Sequence, residues 1–283
     1  MPEKSKQITP AGLYIVATPI GNLADITLRA LDILKLVDLV VCEDTRVTGK
    51  LLSHYGIKKP LLSYNDYNAS ERRPEIFSAL ESGKRVALVS DAGTPLISDP
   101  GYKLVREAIE QGYYVTSIAG ASSVITALCL SGLPSDQFFF GGFLPSKTEE
   151  LKQYIKTVEN IPATLIFFES AGRLEKSLEL LKIGLSDRQS AIARELTKLY
   201  EEVRRGKISE LLDYIKKNGA PKGEVVLLIS PPPEQKPELD QDIEEKIKLL
   251  LKSHSVKETA SIIAEQTGLP RKEIYALALK IKR

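Results

Sequence analysis

A chain of 283 residues, 43% hydrophobic, is long for one globular domain and rich enough in apolar residues to fill two cores. Its 39 basic and 37 acidic residues leave a formal charge of +2, which excludes a wholesale nucleic-acid coat and an acidic tail, so any nucleic-acid surface must be local. Two cysteines exclude a disulfide framework, and two histidines without ligand-type neighbours at metal-site spacing predict no protein-bound metal.

Residues 1 to 12 are polar and lysine-containing with no apolar signal core, and no stretch approaches about 18 uninterrupted apolar residues, so a soluble, cytoplasmic protein without a membrane partner is expected. Leu13 to Ala17 then reads as a buried strand ending at Thr18-Pro19-Ile20-Gly21-Asn22, with a helix over Ile26 to Leu36. Val37 to Cys42 is a second strand running into Glu43-Asp44-Thr45-Arg46, and a helix follows from about Val47 to Tyr55. Cys42 in that strand and Cys129 in a later helical pattern both read as small core hydrophobes. Pro60 to Tyr64 is a short strand, Ser70 to Ser82 a helix and Arg85 to Ser90 a strand.

The next segment, Asp91 to Gly101, packs two glycines and two prolines into a shaped loop at a strand's carboxyl end, where open α/β sheets bind ligands. Tyr102 to Gln111 is a helix, Tyr113 to Ile118 a strand, and Ala119-Gly120-Ala121-Ser122-Ser123 opens a helix over Val124 to Ser131. This alternation predicts a mostly parallel sheet with flanking helices over residues 12–132. A second α/β unit, 133–230, has expected strands Gln137 to Gly141, Thr164 to Glu169, Ser190 to Arg194 and Glu224 to Ile229, with helices near Glu149 to Val158, Arg173 to Gly184 and Ser209 to Asn218.

The proline-rich run 231–237 reads as an extended linker. Residues 238–283 form three short helices, Asp242 to Lys252, Val256 to Gln266 and Pro270 to Lys282, with a capping box at Ser255-x-x-Glu258. Their tight Gly-containing turn resembles a helix-turn-helix module. From Arg271 to Arg283 there are five basic residues against one acid, which suits nucleic-acid contact or a helix end complementing its own dipole.

Four strand-end loops share one composition: Thr18 to Asn22, Glu43 to Arg46, Asp91 to Pro95 and Ala119 to Ser123. Any one of them alone reads most simply as a turn. Together they describe a cleft whose glycines admit close backbone approach and whose hydroxyls and carboxylates offer donors and acceptors. Neither a G-x-G-x-x-G fingerprint nor a Walker A motif is present, which counts against dinucleotides and nucleoside triphosphates and favours a non-phosphorylated nucleoside cofactor. The Glu43 to Arg46 cluster reads either as a solvated helix start or as chemistry. In Arg194-Glu195-Leu196-Thr197-Lys198 the cations either meet an anionic substrate or pair with Glu195 and Glu201, and Gly223 in Lys222-Gly223-Glu224 reads as a turn.

At these residues the chain resembles a known family. The ordered set Thr18-Pro19-Ile20-Gly21-Asn22-Leu23-x-Asp25-Ile26-Thr27-x-Arg29-Ala30, Glu43-Asp44-Thr45-Arg46, Gly93-Thr94-Pro95-x-Ile97-Ser98-Asp99-Pro100-Gly101, Ser131-Gly132-Leu133-Pro134, Gly142-Phe143-Leu144-Pro145 and Arg194-Glu195-Leu196-Thr197-Lys198 is similar to the bacterial ribosomal RNA cytidine 2′-O-methyltransferases of the tetrapyrrole-methylase superfamily. The likeness covers about residues 12 to 230 and, through the last helices, nearly the whole chain. Two segments depart from the pattern: Ala119 stands where relatives usually have proline before the glycine, and Ser170-Ala171-Gly172-Arg173 replaces a proline- or histidine-containing segment.

The resemblance implies two α/β domains with S-adenosylmethionine in the cleft between them, homodimers, and methylation of a cytidine ribose in the decoding region of 16S rRNA, free or in the 30S subunit. Cofactor contacts are then expected from Thr18, Pro19, Gly21, Asn22, Asp91, Ala92, Gly93, Thr94, Pro95, Gly120, Ala121, Ser122 and Ser123, with backbone of the second domain closing over adenine. Ser98 to Gly101 is expected only to start the next helix. Transfer to a weakly acidic ribose hydroxyl makes Glu43, Asp44 or Glu195 the expected proton acceptor, with Arg46 and Lys198 orienting phosphate or stabilising the developing oxyanion. The competing readings are a tetrapyrrole or protein-residue methyltransferase of the same superfamily and a non-catalytic, S-adenosylmethionine-sensing regulator that binds nucleic acid.

Overall fold

Strands covered on both faces need apolar residues at every position, and the runs beginning at Leu13, Leu39 and Val86 meet that demand. In a computed structural model, which describes residues 9–233 and 241–282, they form the middle of an all-parallel sheet. Its strands are β1 (Gly12–Val16), β2 (Leu39–Cys42), β3 (Leu61–Ser63), β4 (Arg85–Val89) and β5 (Val115–Ile118), in the order β3-β2-β4-β1-β5.

Successive side chains alternate between two cores. Tyr14, Val16, Val40, Cys42, Ala87 and Val89 pack with α1 (Leu28–Leu36) and α2 (Thr45–His54), while Leu13, Val41, Val86 and Leu88 pack with α3 (Ala69–Glu81) and α4 (Tyr102–Glu110). The helices after β1 and β2 therefore lie on one face and the helix after β4 on the other. A strand whose connection leaves over the opposite face from both neighbours opens a crevice on each side of its carboxyl end. The loop from Ser90 to Gly101 is that loop.

From β5 the chain enters α5 (Ser123–Ser131), which ends at Gly132 in the left-handed conformation (φ 72°). The second sheet has the order β6-β7-β10-β8-β9, from β6 (Phe138–Phe143), β7 (Thr164–Ser170), β8 (Gln189–Arg194), β9 (Glu202–Lys207) and β10 (Glu224–Ile229). Only β6 and β7 run parallel; the other pairs are antiparallel. One face is covered by α6 (Thr148–Val158), α7 (Leu174–Leu185) and α8 (Ile208–Asn218) around Leu165, Phe167 and Leu227. On the other face Ile166, Ala191, Ala193, Val226 and Leu228 pack against Val124, Ala127 and Leu128 of α5 and against Ile20 from the first domain. One apolar cluster thus joins the first domain's Thr18 to Asn22 loop to the second sheet.

Three expectations are corrected. β9 has no counterpart in the sequence reading, because Glu202-Val203-Arg204-Arg205-Gly206-Lys207 carries edge-strand charges in place of apolar alternation. Cys129 is exposed, since α5 buries Val124, Ala127, Leu128 and Ser131, and one further residue turns the side chain off that stripe. The helix expected from Ile26 begins at Leu28, after a 3₁₀ turn over Leu23–Asp25 capped by Asn22, and Thr27 accepts the Ala30 N–H as its N-cap.

The described residues form two compact units, divided between Pro231 and Pro232, so both α/β domains belong to one body. The second unit holds α9 (Gln241–Leu250), α10 (Val256–Thr267) and α11 (Arg271–Lys282) around Ile247, Ala260, Ile263, Ile274 and Ala278. Ser255 and Glu258 form the expected capping box, and Gly268 (φ 70°) terminates α10. Residues 1–8, residues 234–240 with most of the expected linker, and Arg283 lie outside the described residues. Among the described residues no helix is long and apolar enough to cross a membrane.

Phe167 is fully buried in the second core, edge-on to Tyr154. Phe167→Ala should cost about 3–5 kcal/mol in urea unfolding monitored by circular dichroism.

Candidate active site

Two backbone hydrogen bonds tie the loops after β1 and β4 together. The Thr18 N–H donates to the Gly93 carbonyl (2.9 Å) and the Gly93 N–H to the Thr18 carbonyl (3.1 Å), an antiparallel bridge between chains that have just left parallel strands. The buried Thr18 hydroxyl donates to the Ser90 carbonyl at 3.1 Å. Gly93 sits at φ 80°, a conformation open to glycine, and beyond it Leu96 (φ 75°) and Ser98 (φ 63°) are held in the left-handed region.

The facing loop of the second domain is strained in the same way, with Glu195 at φ 48° and Thr197 at φ 64°. The Glu195 carboxylate accepts from Lys198 Nζ (3.0 Å) and from the Glu224 N–H (3.3 Å), and a Cβ on Gly223 would collide with it. Lys198 also reaches Glu224 at 3.4 Å. Across the gap, the Asn22 N–H donates to Thr197 Oγ1 (3.1 Å), and a Cβ on Gly21 would stand 2.5 Å from the Lys198 stem. These contacts form a clasp between the domains.

Behind the clasp lies a cleft of about 410 Å³. Ile20, Asp91 to Thr94, Ile97 to Asp99 and Ser122 to Val124 line one side; Phe143, Phe168 to Ala171, Ala193, Glu195, Leu196 and Gly223 to Val226 line the other. Among the described residues no lysine, arginine or histidine belongs to this lining, while Asp91, Asp99, Glu169, Glu195 and Glu224 do. Such a wall repels phosphate and suits a ligand with cationic groups and an apolar body. Burial pushes the carboxyls of Asp91 and Asp99 above their ordinary value, against a hydrogen bond from the Asp44 N–H to Asp91 and one from Ser90 to Asp99. Glu195 is lowered, chiefly by its hydrogen bond from Lys198.

Glu169 has a fully buried side chain. It accepts from the Ser177 hydroxyl (2.5 Å) and the Ser170 N–H (2.7 Å) and pairs with Arg173 (2.6 Å). This network shapes the Ser170 to Arg173 turn at the cleft wall.

The second crevice, on the β2 side of β4, has a volume of about 420 Å³ and is lined by Glu43 to Arg46, Ser63, Asn65, Tyr67 and Asp91. Asp91 is common to both cavities. Asp44 caps α2 by accepting the Arg46 N–H (2.7 Å) and grips the Arg46 guanidinium, which lowers its carboxyl to about 2. The Glu43 carboxyl is pushed above its ordinary value by burial first, then by Asp91, Asp99, Asp66 and Asp44.

Of the residues expected from the sequence, Asp91, Ala92, Gly93, Thr94, Ser122, Ser123 and Glu195 line the cleft. Thr18 and Pro19 are buried beneath it, and Gly21, Asn22 and Lys198 form the clasp. Pro95, Gly120 and Ala121 are absent from the lining: Gly120 presses on Ala17, and the Ala121 carbonyl accepts from Thr94 Oγ1 (3.1 Å). Glu43, Asp44 and Arg46 fall in the second crevice. Ser98 and Asp99, expected only to start a helix, line the cleft because left-handed Ser98 turns the chain back toward it. The sequence reading also missed Phe143, Phe168, Glu169 and Gly223 to Val226. An acid closing the apolar run Thr164 to Phe168 was the available signal for Glu169.

Residues 12–212 match the family model described as Tetrapyrrole (Corrin/Porphyrin) Methylases, and residues 237–282 match the RsmI C-terminal HTH domain. The chain is 46% identical over 279 residues to ribosomal RNA small subunit methyltransferase I of Mesorhizobium japonicum, covering 98% of this chain and 94% of that protein. Proteins of the same name from Erythrobacter litoralis (51% identity, 96% and 95% covered) and Escherichia coli O157:H7 (44%, 95% and 94%) are similar along their whole length. In fold the chain is similar to diphthine synthase (TM-score 0.60, 17% identity, covering 77% of this chain and 89% of that one). It also resembles a cobalt precorrin-4 methyltransferase (TM-score 0.56, 19% identity, 77% and 94% covered).

Gly21→Val should force Lys198 and the Leu196 carbonyl away from the first loop, at a cost of about 1–3 kcal/mol. Hydrogen exchange at the Asn22 amide should quicken while the two sheets keep their protection.

Proposed function

The chain belongs to the tetrapyrrole methylase family, among its ribosomal RNA small subunit methyltransferase I members, and from that membership we propose that it methylates the ribose 2′-oxygen of a cytidine in the decoding region of 16S rRNA, free or in the 30S subunit, as a homodimer. It is an S-adenosylmethionine-dependent methyltransferase, so the reading as a non-catalytic sensor is set aside. The observation that carries the placement of the cofactor is the cleft at the carboxyl ends of β1 and β4, lined by carboxylates and by no basic side chain. S-adenosylmethionine carries an ammonium and a sulfonium against one carboxylate and has no phosphate, so its net positive charge fits that lining. When bound it supplies an electrophilic methyl group.

The roles of the chain's residues follow from their surroundings. Asp91 to Thr94 and Ser122 with Ser123 hold the cofactor from the first domain, and Phe143, Phe168 and Val226 keep water from the reacting atoms. Glu43, poised above the ordinary carboxylate range in the crevice behind Asp91, accepts the proton of the ribose hydroxyl. Asp44, held near 2 by Arg46, is a poor base; it positions the largely exposed Arg46 guanidinium for an RNA phosphate. Glu195 and Lys198 satisfy one another and brace the cleft mouth. The match over residues 237–282 supports RNA contact by the helical unit, whose last helix carries Arg271, Lys272, Lys280 and Lys282.

Labelled S-adenosylmethionine incubated with unmodified 30S subunits or free 16S rRNA should leave its methyl on one cytidine ribose; label confined to a base or to protein would overturn the reading. Asp91→Ala and Gly93→Val should weaken S-adenosylmethionine binding in calorimetry while the protein stays folded. Only anionic Glu43 accepts a proton, so kcat/KM should fall as pH drops through a midpoint above the ordinary glutamate value. Glu43→Gln should abolish that limb and lower the rate by about 10²–10⁴.

A further inference from the structure

The crevice beyond Asp91 has a floor, a rim and an aromatic ring that no packing role explains. Tyr67 is 97% exposed at the tip of the turn between β3 and α3. Among the described residues its ring meets no other ring and its hydroxyl has no hydrogen-bond partner. Its backbone is nevertheless fixed: Asn65 Oδ1 accepts from the N–H groups of Tyr67 (3.1 Å) and Asn68 (3.2 Å). Asn68 Oδ1 accepts the Asn65 N–H (2.8 Å), and its amide donates to the Ser63 carbonyl (3.2 Å). An isolated exposed tyrosine is unremarkable on a protein surface. One held on a braced turn, at the lip of a cavity of about 420 Å³ that shares a wall with the cofactor cleft, has a location that matters.

We propose that this crevice holds the base of the target nucleotide, drawn out of its stack, with Tyr67 as the stacking platform. The inference rests on the RNA 2′-O-methylation proposed above. A ribose hydroxyl presented to the cofactor at Asp91 has its base within one sugar's width, and the second crevice is the cavity that adjoins Asp91 on the side away from the cofactor. A nucleotide whose base leaves the stack can carry its ribose into a recessed site, and an aromatic face replaces the stacking that base loses. Asn65 keeps its carbonyl for the turn, so its amide NH₂ remains to meet a ring acceptor. Arg46, 85% exposed in its side chain and fixed by Asp44, stands on the same rim for the flanking phosphate.

The test compares wild type with Tyr67→Ala, Tyr67→Phe and Tyr67→Trp on small ribosomal subunits that lack the modification, with S-adenosylmethionine affinity measured in parallel. Tyr67→Ala should lower kcat/KM for the RNA by about tenfold to a hundredfold with cofactor affinity unchanged, and Tyr67→Phe should stay near wild type. The chain has no tryptophan, so Tyr67→Trp introduces a single reporter whose fluorescence should be quenched as subunits are added. Wild-type kcat/KM in Tyr67→Ala, or an unquenched Trp in an active Tyr67→Trp, would overturn the inference alone. Failure of the wild type to label a ribose would overturn the function and this inference together.

Discussion

Everything in the catalytic body is arranged around a pair of hydrogen bonds between Thr18 and Gly93. Parallel strands diverge at their carboxyl ends when their crossovers leave over opposite faces, and the space between β1 and β4 would otherwise splay open. The bridge closes that space for one residue pair and sends each loop outward at a fixed angle. Ile20 is thereby delivered to the second domain's apolar face, and Asp91 is set between two cavities. The backbone strain at Leu96 and Ser98 makes sense only against this anchor, since a loop free to relax would leave those conformations.

The second domain contributes electrostatics more than reactive groups. Its antiparallel strands bring Glu195, Glu224 and Glu169 to one wall, each with a stated partner, so the wall is acidic without being uncompensated. Lys198 turns its ammonium to the two glutamates and its stem to Gly21. The same residue thus keeps the wall tolerable in the free protein and packs the domain junction. An ion pair with this much structural duty is a poor source of mobile protons.

The order of elements was legible in the sequence because buried parallel strands leave continuous apolar runs and glycine-bearing loops punctuate them. The four first-domain loops were legible as loops, and their shared composition pointed to a cleft. What each loop does there was not. Thr18 and Asp44 carry side chains suited to ligand contact, and the fold turns one inward to Ser90 and the other onto Arg46, a distinction set by neighbours about 72 residues away or by a helix start. β9 was hidden because an edge strand bears charge where the pattern seeks apolar residues. Half of the cleft wall was invisible for a related reason: Phe168, Glu169 and Val226 come together only after two distant strands pair, and pairing leaves no local signature.

A carboxyl group that fronts two binding volumes cannot report on one without the other. Burial pushes the Asp91 carboxyl above its ordinary value, and a cation in the first cavity or a hydrogen-bond donor in the second each favours its ionised form. Any factor by which an occupant of one cavity changes the affinity for an occupant of the other through this shared carboxylate is matched by an equal reverse factor. The partition between the two cavities is therefore a single side chain that meets whatever occupies either of them.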